Sequence, residues 1–130
     1  MLLDTTILID FLRGKDKAVN FINHLDKDLI FTTEINVFEL ITGIYASKQD
    51  IKTHLEKVVS MLSNFIILPL DRKSTFKAAE IAGNLIKKGE KIQETDCLIA
   101  GICLSNGILD IATENGKHFS KIKDIRVRSY

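Results

Sequence analysis

The chain has 130 residues, with 18 Lys and Arg against 17 Asp and Glu, a formal charge of +1. That length suits one domain, which typically runs to roughly 100–200 residues, and it can bury about two-thirds of the unfolded surface. Hydrophobic residues at 45% and charged residues at 27% disfavour disorder. Near-neutrality excludes a generally basic nucleic-acid coat or an acidic tail protein, while leaving room for a surface on which charge is segregated.

The apolar start, Met1 to Leu12, carries Asp4 and Asp10 and no basic leading region, so it does not read as a signal peptide. No apolar run approaches the roughly 18 residues of a membrane span. The expectation is a soluble, cytoplasmic protein with no membrane partner. Cys97 and Cys103 lie about 240° apart on a helix. They cannot pair within that helix, match no common zinc spacing, and read as small buried hydrophobes.

In chain order, Leu2-Leu3 begins a buried strand that ends at Asp4. Thr5 or Thr6 caps a helix carrying Ile7 to Leu12, closed by Gly14. Ala18, Val19, Ile22 and Leu25 recur at helical spacing, and Leu29 to Thr33 reads as a second strand. Glu34 to Ala46 is a helix with a stripe of Val37, Leu40, Ile41 and Ile44. The next helix buries Ile51, Leu55, Val58, Val59 and Leu62 and turns Lys52, Glu56 and Lys57 outward.

Phe65 to Leu68 is a third strand, stopped by Pro69. Asp71 caps a helix reaching Lys88, with Phe76, Ala79, Ala82 and Ile86 expected inward. A helix from about Thr95 to Ser105, apolar all round and ended by Asn106-Gly107, belongs in the interior. A fourth strand over Ile108 to Thr113, a short segment over Gly116 to Lys121 and a last strand near Ile125 to Val127 complete the chain. The alternation predicts one α/β domain spanning 1–130, with a mostly parallel sheet of four to five strands.

Ligands of open α/β sheets bind beyond the carboxyl ends of the strands. Asp4 falls there on the first strand; Thr113, Glu114 and Asn115 fall there on the fourth. Asp96 sits in the first turn of the apolar helix, where the helix dipole favours a negative charge. Glu39 lies about 200° from Val37 on the helical wheel, which makes it a solvated glutamate by periodicity alone. Ile35 and Phe38 give that face apolar company, and the pattern leaves it open whether it lines a cleft. Several oxygen ligands at one sheet edge suit a hard cation such as magnesium. His24, His54 and His118 have no ligand-spaced partner and read as surface residues. No phosphate loop, nucleophile elbow or dinucleotide fingerprint is present.

Four blocks, Leu3-Asp4-Thr5-Thr6-Ile7-Leu8-Ile9-Asp10, Phe38-Glu39-Leu40, Thr95-Asp96-Cys97-Leu98-Ile99-Ala100 and Ala112-Thr113-Glu114-Asn115-Gly116-Lys117-His118-Phe119, resemble in order and spacing those of PIN-domain ribonucleases. More narrowly, essentially the whole chain resembles the VapC-type toxins of toxin–antitoxin pairs. The resemblance implies a three-layer α/β/α domain and a metal-dependent endoribonuclease using Mg2+, with Mn2+ as a substitute. Asp4, Glu39 and Asp96 would be its core carboxylates; Asp4 and Asp96 would hold the ion, and Glu39 would bind it or orient the attacking water. Thr6, Thr113 and Asn115 would line the site. Asn115 stands where many relatives carry an aspartate, which leaves a second ion in doubt. A VapB-type antitoxin and a homodimeric state are also implied, and the apolar residues Ile35, Phe38, Ile44 and Tyr45 are candidates for such contacts.

Other readings remain open on the residues alone. One is a PIN-domain RNA-processing nuclease without a toxin role; another is a non-catalytic α/β binding module whose acids cap helices. A haloacid-dehalogenase-type phosphatase needs an Asp where this chain has Thr6. Charge is in fact uneven: residues 117–130 hold five bases and one acid, and the first 116 hold 13 bases and 16 acids. Lys117, Lys121 and Lys123, with Lys87, Lys88 and Lys91, are candidate contacts to an RNA backbone.

Overall fold

The structure is a computed structural model that describes residues 1–130. Five strands form one sheet: β1 (Leu2–Leu3), β2 (Phe31–Thr33), β3 (Ile66–Leu68), β4 (Asp110–Ala112) and β5 (Arg126–Arg128). Their order is β3-β2-β1-β4-β5, and every pair is parallel. Seven helices connect them: α1 (Thr5–Leu12), α2 (Asp16–Asn23), α3 (Glu34–Ala46), α4 (Ile51–Leu62), α5 (Arg72–Lys87), α6 (Glu94–Ser105) and α7 (Gly116–Phe119). No helix is long and apolar enough to cross a membrane.

The layering follows from the two-residue period of a strand, which sends successive side chains to opposite faces. Leu2 and its register partner Ile111 join one buried cluster with Leu85, Ile99, Cys103 and Phe119. Leu3 and its partner Ala112 join the other, with Ile7, Leu8, Leu40, Val58 and Met61. One face of the sheet is therefore covered by α5, α6 and α7, and the other by α1, α2, α3 and α4. The expected three-layer α/β/α arrangement with a mostly parallel sheet is present.

Local chemistry accounts for most boundaries. Thr33 and Asn36 form a reciprocal capping box at the start of α3, and Asp71 and Ser74 form one at the start of α5. The Ser74 backbone and side chain hold the Asp71 carboxyl below its usual range. After α6, Gly107 takes φ +69°, the left-handed turn that favours glycine. Cys97 and Cys103 are both buried and free, and burial pushes the Cys103 thiol up to about 12. The end of the chain returns to α1 and α2: the Tyr130 ring lies 6.1 Å from that of Phe21, and its hydroxyl donates to Asp10 at 3.2 Å.

Several expectations about facing are corrected. Neither Thr5 nor Thr6 caps α1; Asp4 holds that position, and its side chain makes no capping bond. Phe76 and Ile86 of α5 are exposed, at 70% and 59%, and the buried face is Ser74, Ala78, Ile81 and Leu85. Val59 of α4 is also exposed. In α5 the small residues decide the rotation, because α6 approaches so closely that bulk is not tolerated between them. A Cβ added at Gly101 would stand 2.6 Å from the Ser74 carbonyl oxygen and 2.7 Å from the Ala78 nitrogen.

That contact yields a stability test. Gly101→Ala must push backbone away from backbone, and overpacking of this kind costs about 1–3 kcal/mol and occasionally more. Urea unfolding of the variant is expected to show that loss, whereas Gly43→Ala, with open space around it, is expected to be neutral or stabilising.

Candidate active site

The polypeptide turns at the carboxyl end of β1 directly into α1, and Asp4 occupies that turn. Asp4 is only 4% exposed. Burial raises its pKa, and the nearby charges of Glu39 and Asp96 raise it further, against the lowering effect of the Thr113 hydroxyl. No lysine or arginine pairs with Asp4 or Glu39. Asp4 thus lies close enough to Glu39 and Asp96 to feel both charges, although the three come from the β1–α1 turn, α3 and α6.

Neutral donors hold this acidic group. Asp4 Oδ2 accepts from the Thr113 hydroxyl at 2.6 Å and the Thr6 hydroxyl at 3.3 Å. Asp4 Oδ1 accepts from Asn36 Nδ2 at 3.0 Å. Asn36 Nδ2 also donates to the Thr5 hydroxyl at 3.0 Å, and that hydroxyl donates to Glu39 Oε2. On the other side Thr113 Oγ1 accepts from the Asn115 backbone at 2.8 Å, and Asn115 Nδ2 donates to Asp96 Oδ2 at 3.1 Å. Thr6 Oγ1 accepts from the Glu114 backbone at 3.0 Å, tying α1 to the end of β4. One continuous hydrogen-bonded path therefore runs Glu39, Thr5, Asn36, Asp4, Thr113, Asn115, Asp96.

The residues that the resemblance assigns to the site, Asp4, Glu39, Asp96, Thr6, Thr113 and Asn115, all join this path or brace it. Glu39, ambiguous on the helical wheel, lies at the edge of a groove of about 390 Å³ between α1, α3 and α4, whose other polar walls include Arg13, His54 and Lys57. Lys117, Lys121 and Lys123 are exposed, and no ion pair engages them. The basic C-terminal edge is narrower than its composition suggests, since Asp110 pairs with Arg126 at 2.5 Å and Arg128 at 2.7 Å.

Asn36 and His118 were missed by pattern alone. Asn36 is fully buried; its carbonyl oxygen closes the α3 capping box with Thr33, which leaves both amide hydrogens for Asp4 and Thr5. The available signal was its spacing of three from Glu39, which puts the two on one helix face. His118 is not an isolated surface residue: its Nδ1 lies 2.6 Å from Asp96 Oδ2. Asn115, three residues earlier, shares that carboxylate oxygen.

As the side chains stand, no three acidic, histidine or cysteine groups converge on one point to hold an ion. Their chemistry nevertheless fits one. Uncompensated carboxylates, hydroxyls and an amide form an oxygen-rich set of the kind a hard divalent cation prefers, and the mutual repulsion at Asp4 is what a cation would relieve.

The PIN domain family model matches residues 1–125, and the chain belongs to that family. Among curated relatives it is similar to tRNA(fMet)-specific endonuclease VapC of Salmonella typhimurium, 26% identical over 129 residues, and of Shigella flexneri, 24% identical over 129 residues. Each match covers 99% of this chain and 96% of the relative. Among solved structures it is similar to VapBC2 from Rickettsia felis bound to a DNA fragment from their promoter. That likeness has a TM-score of 0.89 and 26% identity, and it covers 99% of this chain and 97% of the other.

The burial of Asp4 carries a stability consequence. A carboxyl whose pKa is higher folded than unfolded favours the folded state while protonated and costs stability once pH exceeds the unfolded value. Asp4→Asn, which keeps an acceptor for Asn36, is expected to raise the melting temperature by a few degrees at pH 7 without divalent ions. That advantage should shrink as pH falls into the carboxylate range, as read by thermal unfolding at several pH values.

Proposed function

We propose that the chain, acting as one PIN domain over residues 1–130, is a divalent-metal-dependent endoribonuclease of the VapC type and the toxin of a toxin–antitoxin pair. The observation that carries this reading is the path joining Asp4, Glu39 and Asp96 at the carboxyl ends of β1 and β4 without any lysine or arginine partner. A fully structural acid cluster would be expected to recruit a countercharge, because like charges packed together are costly. The names of the similar VapC proteins support the endonuclease activity, and they make initiator tRNA the first RNA to assay.

Asp4, Asp96 and Glu39 are the residues that would hold Mg2+, with Mn2+ as a substitute. Such an ion, when bound, neutralises phosphate charge and acidifies water. The protein's own contribution is positional. Asn36 and Thr113 hold the two oxygens of Asp4, so its carboxylate cannot rotate freely. Thr5 holds one oxygen of Glu39 and leaves the other for a ligand or an attacking water. Thr6 and Asn115 line the site and brace the end of β4. Lys117, Lys121 and Lys123 supply the phosphate contacts that position an RNA backbone.

The partner expected for such a toxin is a VapB-type antitoxin, in keeping with the similar VapBC2 complex. The surface that suits it is the outer face of α3, where Val37, Phe38, Ile41 and Tyr45 line an open groove of about 680 Å³ and Phe38 and Tyr45 are more than 60% exposed. Of the four apolar candidates, Phe38 and Tyr45 are exposed, whereas Ile35 and Ile44 pack against the buried clusters. A homodimer and a cytoplasmic site of action belong to the same proposal.

Cleavage of tRNA and ribosomal RNA with and without EDTA tests the activity. Asp4→Asn and Asp96→Asn are expected to lose more than about 100-fold in rate, since even outer partners of a bound metal are worth 10- to 100-fold, while their circular dichroism stays that of the parent. Cleavage at the parental rate by either variant, or in EDTA, defeats the assignment. Lys121→Ala with Lys123→Ala should weaken RNA binding and reduce the slope of log affinity against log salt by roughly one per lost phosphate contact.

A further inference from the structure

His118 lies outside the carboxylate set, on α7, yet it makes a close contact to one of its members. Its Nδ1 is 2.6 Å from Asp96 Oδ2, and Asn115 Nδ2 reaches the same oxygen at 3.1 Å. An ionised carboxylate only accepts hydrogen bonds, so Nδ1 must carry the proton in that contact. Asn115 Nδ2 lies 3.0 Å from Nδ1, but two donors cannot satisfy each other; both aim at Oδ2. Asp96 Oδ2 is therefore taken by two N–H groups, whereas Oδ1 has no partner. Asp96 Oδ1 is also absent from the polar atoms sealed inside the protein, of which Ser105 Oγ alone lacks a partner. The free oxygen is therefore not sealed from solvent.

We propose that His118 is a positioning residue of the active site: through its Nδ1–H it fixes the rotation of the Asp96 carboxylate and presents Oδ1 to the divalent cation. This rests on the metal-dependent reading above. Asp96 is well placed to need such a brace. The Asp4 carboxylate is held from both oxygens by donors on α3, α1 and the end of β4, while Asp96 receives side-chain donors only from Asn115 and His118. Its helix is buried and fixed, so the remaining freedom is rotation of the carboxylate about its own bonds. Two N–H groups on one oxygen remove that freedom.

The chemistry of the two amide side chains separates this role from others. The amide nitrogen of asparagine occupies nearly the position of imidazole Nδ1, and that of glutamine nearly the position of Nε2. An amide N–H can donate to Asp96 but gives a metal no nitrogen lone pair. Binding of Mn2+, followed by the electron paramagnetic resonance signal of the free ion, provides a readout independent of RNA cleavage.

His118→Ala is expected to weaken Mn2+ binding by about tenfold, the low end for partners that orient a ligand. His118→Asn should recover most of that loss and His118→Gln should not, with kcat for RNA cleavage following the same order. If His118→Ala binds Mn2+ as the parent does, or if His118→Asn is no better than His118→Ala, the positioning role is wrong. If the parent binds no Mn2+, or binds it undiminished after Asp96→Asn, the metal site itself is wrong. The asparagine and glutamine variants keep the comparison interpretable should the alanine variant not fold.

Discussion

The whole arrangement turns on one unfavourable placement, a carboxylate buried at the end of the central strand. A polar group out of water costs free energy unless it is hydrogen-bonded, and a charged one costs more. Asp4 is supplied by Asn36 of α3, Thr113 beyond β4 and Thr6 of α1. Those donors can meet only because β1 lies between β2 and β4 in a parallel sheet. That order brings the carboxyl ends of three neighbouring strands, and the first residues beyond them, to one edge. Losing any one donor would leave part of the charge unsatisfied, a penalty of about 1–3 kcal/mol or more. The sheet order and the acidic site are therefore not separable features of the fold.

Much of this was legible in the residues, and the parts that were not share physical causes. The strand–helix alternation, the capping Asp71, the stop at Gly107 and the interior position of the helix that carries Asp96 arise from local rules that act within a few residues. Facing was harder. Phe76 and Ile86 are two of the four large apolar side chains of α5, yet they are exposed while Ile81 and Leu85 are buried. The side against α6 needed Ser74 and Ala78, whose value is their small size. A hydrophobic pattern registers bulk and cannot register the demand for its absence. Asn36 was hidden for a different reason: an asparagine at the third position of a helix already has a local role in capping, and the long-range use of its amide depends on the partner strand. His118 shows the same limit, since its partner Asp96 is 22 residues away.

The charge balance changes meaning once the chain is folded. A formal +1 spread evenly would say little, but here the acids Asp4, Glu39 and Asp96 gather at one edge while several bases are already engaged elsewhere. Asp110 pairs with both arginines of β5, and those bonds hold its carboxyl below the usual range despite partial desolvation. The lysines that remain unpaired on the C-terminal segment are Lys117, Lys121 and Lys123. Composition overstated the basic rim because it counted charge without regard to what each charge was facing.

The precision of the site comes less from its polar path than from the apolar layer beneath it. Asp96 stands in the first turn of a helix whose residues Cys97, Ile99, Ala100, Gly101, Ile102 and Cys103 are all buried, so the helix cannot roll or slide without opening a cavity or forcing a clash. Gly101, pressed against the Ser74 carbonyl and the Ala78 backbone, fixes how closely α6 approaches α5. The height of Asp96 above the sheet edge is thereby set by van der Waals contact between backbones. Close-packed interiors transmit displacements of this kind because they have few voids to absorb them. A functional carboxylate needs placement to about half an ångström, and a rigid buried helix provides that where a surface loop would not. The hydroxyls, amides and imidazole around the acids then have only side-chain rotation left to restrain.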